Sequence, residues 1–196
     1  MGAQRKPYAT VEQYLAIERV ALEKSEYYNG EMFLMAGASE RHNTIASNMN
    51  YELNRHFRKR GCRVYGSDMR IYTETTGLFS YADAVVVCGK PEFYDREQDV
   101  LTNPTLIVEV LSPSTERYDR EKKFELYKGL ESFQDYLLVE QQKPCVEHWQ
   151  KLETDEWQVS KVVGLESMLE IARYELHIPL SEIYLNVSFD AQLYSN

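Results

Sequence analysis

Apolar and polar positions change period several times along the chain, and each change marks an element. Thr10-Val11-Glu12-Gln13 places a capping residue three before Gln, the start of a short helix that carries Tyr14, Leu15 and Ile17 inward. Asn29-Gly30 falls between the strand-like segments Tyr27-Tyr28 and Glu31-Met32-Phe33, the pattern of a tight hairpin. From about Glu40 the spacing turns helical, with Ile45, Met49, Leu53 and Phe57 on one stripe, and Gly61 is expected to end that helix. Strands follow at Arg63–Gly66, Met69–Thr73 and Phe79–Cys88, then an apolar run of buried-strand character at Thr105–Leu111. Phe124, Tyr127 and Leu130 predict a helix from about Asp119 to Gly129, and Asp135–Glu140 reads as a strand parallel to Thr105–Leu111. Cys145–Leu152 and Trp157–Val163 form an expected antiparallel pair turned at Glu153-Thr154-Asp155, with a short helix over 179–185. The sum is one α/β domain over residues 1–196, in which the part from about 145 onward is a hairpin and short-helix extension.

Length and composition agree with this. The chain has 196 residues, 43% hydrophobic and 27% charged, a globular profile with enough chain to bury a core. No run approaches 18 apolar residues, so no membrane span is expected. Met1-Gly2-Ala3-Gln4-Arg5-Lys6 has neither the apolar run of a secretory signal nor the Ser or Thr at position 6 of a myristoylation signal. Cys62, Cys88 and Cys145 are odd in number and lack a CxxC, which argues against a disulfide framework or structural zinc and for a cytoplasmic protein. The net charge of −9 is unevenly spread: residues 1–130 hold 18 Lys/Arg against 19 Asp/Glu, residues 131–196 hold 4 against 12. Arg55-His56-Phe57-Arg58-Lys59-Arg60-Gly61-Cys62-Arg63 contains no acid, so a polyanion partner is permitted. The negative end of the helix dipole also accounts for Arg58, Lys59 and Arg60, and that reading ranks first.

Two acids break their own strand pattern. Alternation puts Glu109 on the face of Ile107 and Leu111, and Asp83 on the face of Val85 and Val87. Buried carboxylates on successive strands repel unless a cation or a set of donors meets them. A hard divalent ion, Mg²⁺ or Mn²⁺, is one solution; backbone donors or an arginine such as Arg70 are the other. Lys123 lies at the edge of the stripe set by Phe124 and Tyr127, placed to reach back toward such a centre, whereas Lys122 points to solvent. A pair with Asp119, four residues earlier, is the plainer role for Lys123.

Asp83 before a Val-rich strand, then Pro104-Thr105-Leu106-Ile107-Val108-Glu109-Val110-Leu111-Ser112-Pro113-Ser114-Thr115, then Lys123-Phe124-Glu125-Leu126-Tyr127, resembles the Uma-type restriction endonucleases of the PD-(D/E)XK nuclease superfamily. The resemblance runs from about Tyr8 to Gln150. It implies a restriction-endonuclease-like central mixed β-sheet flanked by α-helices, and Mg²⁺- or Mn²⁺-dependent hydrolysis of DNA phosphodiesters. Asp83 and Glu109 would be the metal ligands and Lys123 the catalytic amine. Ala82 stands where the superfamily motif has proline, and Leu111 where it usually has lysine, so Lys123 must supply the amine from the helix. Glu31 in the hairpin and His42 at the start of the basic helix match further family-like positions. Glu31 is a further candidate metal ligand; His42, Arg58, Lys59 and Arg60 are candidate DNA contacts, with capping or a core hydrogen bond the first reading for His42. A homodimer would suit a duplex cutter, with two sites for two strands. A nuclease-like scaffold without catalysis, used for DNA binding or protein assembly, and a hydrolase of smaller phosphate esters are the other readings.

Overall fold

The computed structural model describes residues 8–189; the reading of the N-terminal hexapeptide lies outside them. In chain order the elements are α1 (Val11–Glu18), β1 (Ser25–Tyr28), β2 (Glu31–Leu34), α2 (Glu40–Phe57), β3 (Cys62–Gly66), β4 (Arg70–Thr73), β5 (Leu78–Tyr81), β6 (Ala84–Cys88), β7 (Val100–Leu101) and β8 (Leu106–Leu111). There follow α3 (Glu116–Tyr118), a π-helical turn (Asp119–Lys123), α4 (Phe124–Tyr127), β9 (Asp135–Glu140), β10 (Cys145–Lys151), β11 (Trp157–Val163), β12 (Met168–Ile171), β13 (Leu176–Pro179) and α5 (Leu180–Ile183). The fold is mixed α/β, but its strands divide between two main sheets. The smaller runs β2-β1-β5-β4-β7 and the larger β11-β10-β9-β8-β6-β3, with β12-β13 as a separate hairpin.

Local chemistry sets these elements. Thr10 and Gln13 form a reciprocal capping box at α1, which buries Tyr14 and Leu15 but leaves Ile17 exposed, contrary to expectation. The inward stripe runs Val11, Tyr14, Leu15 and Glu18, and Ile17 falls off it. Asn29 and Gly30 take positive φ, as a two-residue hairpin between β1 and β2 requires. Gly30 is also pressed by the Tyr8 ring, 1.9 Å from where a Cβ would stand. Ile45, Met49, Leu53 and Phe57 are all buried, as their spacing predicts. α2 ends at Phe57 with Arg58 as its cap, ahead of Gly61, whose positive φ turns the chain into β3.

The larger sheet lies between two cores. On one face Ala84, Val86, Val108, Val110 and Val139 pack against α2, α5 and the β12–β13 hairpin. On the other, Val85, Val87, Ile107 and Leu138 meet Phe124, Tyr127 and Phe133, and also Ile71 and Leu78 of the smaller sheet. β8 and β9 are parallel, joined through the α3–α4 segment as expected. β10 and β11 are antiparallel and continue the larger sheet from β9, so residues 145–163 are integral to it.

The expected strand Phe79–Cys88 is two strands in two sheets. β5 pairs with β1 and β4, β6 with β3 and β8, and the chain steps between sheets at Ala82-Asp83. The step is held by the Asp83 amide donating to the Val108 carbonyl at 3.0 Å and the Asp83 carboxylate accepting from the Val110 amide at 2.7 Å. The cysteine reading also needs correcting. Cys62 and Cys88 are bonded as a disulfide, facing each other across β3 and β6, while Cys145 is free and buried. Residues 26 apart form no motif in sequence; strand register alone brings them together. The cysteine count therefore no longer supports a reducing, cytoplasmic setting. Among the described residues no helix is long and apolar enough to cross a membrane.

Candidate active site

Where the chain steps between sheets, ladder pairing is interrupted and the Tyr81 carbonyl is left for another donor. Lys123 Nζ supplies it, at 2.8 Å. The same ammonium lies 2.8 Å from Glu109 Oε1, 3.0 Å from Glu26 Oε1 and 3.9 Å from Asp119 Oδ1. The helical segment begins at Glu116, earlier than its apolar spacing suggests, and it widens to a π turn over Asp119–Lys123. The wider turn leaves Asp119, Lys123 and Phe124 all buried on the side facing the sheets. Lys122, by contrast, lies outside over the Tyr28 ring, 4.7 Å from its centre.

Each carboxylate has its own support. Tyr127 donates to Glu109 Oε1 at 3.3 Å and its hydroxyl also meets Ser80 Oγ at 3.0 Å. Tyr118 donates to Glu26 Oε2 at 3.3 Å, and the Tyr81 amide to Glu26 Oε1 at 3.3 Å. Asp83 Oδ2 takes the Val110 amide and lies 3.4 Å from His42 Nε2. His42 thus reaches Asp83 through its ring, while its backbone N–H is capped by Ser39. Arg70, the arginine considered for these acids, pairs instead with Asp99.

Charge in the cluster is unbalanced. Burial pushes Glu109 well above the usual carboxylate range, and Asp119 and Asp83 push the same way against Lys123. Burial likewise raises Asp119. Burial favours neutral Lys123, but Glu109 and Glu26 outweigh it and hold the ammonium protonated. Burial also opposes a charged His42; its hydrogen bond to Asp83 wins and lifts it above its ordinary value.

Of the residues singled out from sequence, Asp83, Glu109, Lys123 and His42 thus gather at one place. Glu31 does not. It is exposed on β2, its carboxylate makes no hydrogen bond or ion pair with a described residue, and the hairpin acid in the cluster is Glu26. Alternation puts Glu26 on the face of Tyr28, which packs against the core beside α4, and that was the available signal. Asp119, read as a surface partner, is buried. Arg58, Lys59 and Arg60 stand beyond the other end of α2.

The donor set suits a hard divalent cation: Glu26, Glu109 and Asp119 share one ammonium, Asp83 adds a fourth carboxylate close enough to raise Glu109, and all are oxygen donors. Contacts fall on Oδ2 of Asp83 and Oε1 of Glu109, which leaves a second oxygen on each. Among the described residues no three His, Cys, Asp or Glu side chains are gathered as a metal cage; the Lys123 ammonium occupies the place between Glu26 and Glu109.

Residues 11–181 match the model of the Uma2 family, described as "putative restriction endonuclease". The chain belongs to the Uma2 family. Two curated relatives from Synechocystis are both described as uncharacterized. One is 36% identical over 163 residues, covering 83% of this chain and 92% of the relative. The other is 31% identical over 183 residues, covering 93% and 95%. A solved structure from Anabaena variabilis, described as a putative nuclease belonging to DUF820, superposes with a TM-score of 0.72 at 15% identity, covering 89% of this chain and 97% of that one. The Uma2 chain and that protein share the fold.

Proposed function

We propose that this Uma2 protein is a Mg²⁺- or Mn²⁺-dependent endonuclease that hydrolyses DNA phosphodiester bonds at the Asp83–Glu109–Lys123 cluster. The observation that carries the reading is the excess of acid: three buried carboxylates, Glu26, Glu109 and Asp119, around one ammonium, with the partly exposed Asp83 close enough to raise Glu109 further. Asp83 and Glu109 would hold the metal, with Glu26 in the place expected for Glu31. When bound, such an ion supplies Lewis-acid neutralisation of charge on the scissile phosphate. Lys123, kept protonated by its carboxylates, sets a fixed, buried positive charge toward which phosphate oxygens would gain negative charge, and a buried charge acts far more strongly than one in water. Tyr127 and Tyr118 orient Glu109 and Glu26, while the Val110 amide fixes Asp83. His42 adds a further donor beside Asp83. Hydrolysis adds water across one P–O bond, leaving a phosphate monoester at one strand end and a hydroxyl at the other. A homodimer belongs to the same proposal, tested by light scattering on the eluting protein.

The test is conversion of supercoiled plasmid with Mg²⁺ or Mn²⁺. Asp83→Ala, Glu109→Ala and Lys123→Ala are each expected to abolish cutting that the unaltered chain performs. Equal cutting by all three overturns the site assignment. The scaffold reading draws on the ammonium seated between Glu26 and Glu109 without a metal cage. Metal-independent DNA binding with no cutting in either ion decides for it.

A further inference from the structure

Four strands end the two main sheets: β2 and β7 in the smaller, β11 and β3 in the larger. An open edge invites pairing with another chain, and a basic side chain, a proline or a cover is the usual protection. β3 carries the exposed Arg63 and β11 the exposed Lys161, while β7 has two residues, both buried. β2, Glu31-Met32-Phe33-Leu34, has neither a base nor a proline. Phe33 is 44% and Leu34 65% exposed, Met35 follows them into solvent, and Leu34 shares a shallow groove with Leu22. From Asn29 to Ser39 the one charged residue is Glu31. In a chain of net charge −9, this is where a second copy meets little repulsion.

The backbone shows how this edge can be met. The Met35 N–H donates to the Lys24 carbonyl at 2.9 Å, so the bonded pairs of the hairpin are Lys24 with Met35, Glu26 with Phe33 and Tyr28 with Glu31. The N–H and C=O groups of Met32 and Leu34 therefore point away from β1, and no described residue bonds them. Such an edge is complementary to itself. When two β2 strands run antiparallel about Phe33, Met32 of each exchanges both bonds with Leu34 of the other. Phe33 then faces the partner's Phe33 in the closer, unbonded kind of pair, and Glu31 faces the partner's Met35, not a second glutamate.

We infer that β2 pairs with β2 of a second copy of this chain, antiparallel and centred on Phe33, and so joins two five-stranded sheets into one. A two-fold contact of this kind consumes the edge and closes at the dimer. Phe33, Leu34, Met35 and the nearby Val20 and Leu22 expose an apolar patch on the order of several hundred Å², much of the ~800 Å² that each partner of a stable dimer buries. What the dimer serves rests on the nuclease reading; where it forms rests on β2. Phe33 pairs with Glu26 and shares its face of the sheet, so the two-fold axis sets both acid clusters on the same side. Glu26 and the partner's Glu26 stand three strand intervals apart, about 14 Å. That is on the scale of the major groove, about 12 Å wide, and suits one cluster to each strand of a duplex.

The test is the mass of the full chain by sedimentation in EDTA, at micromolar concentration, where cutting plays no part. The unaltered chain is expected to be a dimer. Phe33→Lys and Phe33→Glu each set like charges face to face, and each is expected to sediment as a monomer. Mixing the two variants is expected to restore the dimer mass, which also shows that both fold. Val163→Lys, on the β11 edge, is expected to leave the dimer intact. A monomeric unaltered chain overturns the inference, as does a dimer that survives both Phe33 changes. Failure of the mixture to restore the dimer overturns the pairing about Phe33. The two readings fail separately. A dimer that parts at Phe33 in a chain that never cuts plasmid removes the nuclease and keeps the interface. Cutting that depends on Glu109 in a chain that stays monomeric does the reverse.

Discussion

At the start of the parallel β8–β9 pair, Asp135 is fully buried, yet His148 Nε2 lies 2.7 Å away and Arg173 Nε 3.5 Å away. Toward the other end of the pair, Glu109 is as deeply set, but it shares a single ammonium with Glu26 and Asp119, with Asp83 close enough to raise it further. The first cluster surrounds one acid with two basic side chains; the second crowds acids around one amine. Burying charge without a partner is costly, so a self-matched cluster serves the fold, while a persistent excess of one sign marks a place awaiting a counter-charge. The sheet tolerates both because each lies where a strand begins or breaks.

The largest expected difference between the two ends is in activity. Glu26→Gln keeps the shape of the acid-rich cluster and removes one charge; plasmid cutting is expected to fall by about a hundredfold or more, the scale of losing a group aimed at the reacting charge. Glu31→Gln, on the exposed hairpin, is expected to cut at the unaltered rate. Equal losses would return Glu31 to the site. Next in size is stability at the matched end. Asp135→Ala strands His148 and Arg173 and is expected to cost about 3–5 kcal/mol in urea unfolding, with cutting by the folded fraction retained. A loss under about 1 kcal/mol would show that the match at Asp135 is of little consequence.

Much of this contrast can be read from residue order. Alternation in Leu106–Leu111 gives Glu109 its buried face, the stripe of Phe124 and Tyr127 turns Lys123 inward, and Asn29-Gly30 marks the hairpin. What stays hidden depends on contacts distant in sequence. Phe79–Cys88 reads as one strand because every residue suits a strand; only the bonds from Asp83 to Val108 and Val110 reveal the step between sheets. Glu26 passes for an exposed hairpin acid until β1 is seen between two packed layers. Asp119 passes for a surface partner because α-helical spacing does not foresee a π turn. The Cys62–Cys88 bond and the β12–β13 hairpin likewise follow from register.

Metal addition separates the two ends by a smaller effect. A ligand bound at about a hundred times its dissociation constant stabilises the folded state by about 2–3 kcal/mol. Mg²⁺ or Mn²⁺ is therefore expected to raise the melting temperature of the unaltered chain and of Asp135→Asn by several degrees, and that of Glu109→Gln hardly at all. An equal rise in all three would move the binding of the ion away from Glu109.

The smallest effect comes from a third charged group, matched like the Asp135 end but beside the π turn. Arg120 bonds Glu116 at 2.9 Å and Glu140 at 3.0 Å and also reaches Glu147, which Lys161 meets at 2.6 Å. Burial alone would raise Glu147, but Lys161 and Arg120 outweigh it and bring its carboxyl below the usual range. A depressed folded-state value means that the carboxylate stabilises the protein above its unfolded pKa of about 4.3, and that this contribution fades as pH falls through the lower folded value. Glu147→Gln is thus expected to melt below the unaltered chain near pH 6, with the gap narrowing steadily toward pH 3. A gap that holds constant, or widens on acidification, would mean that Glu147 stabilises by packing and hydrogen bonding rather than by charge. Arg120 would then owe its place at the π turn to Glu116 and Glu140 alone.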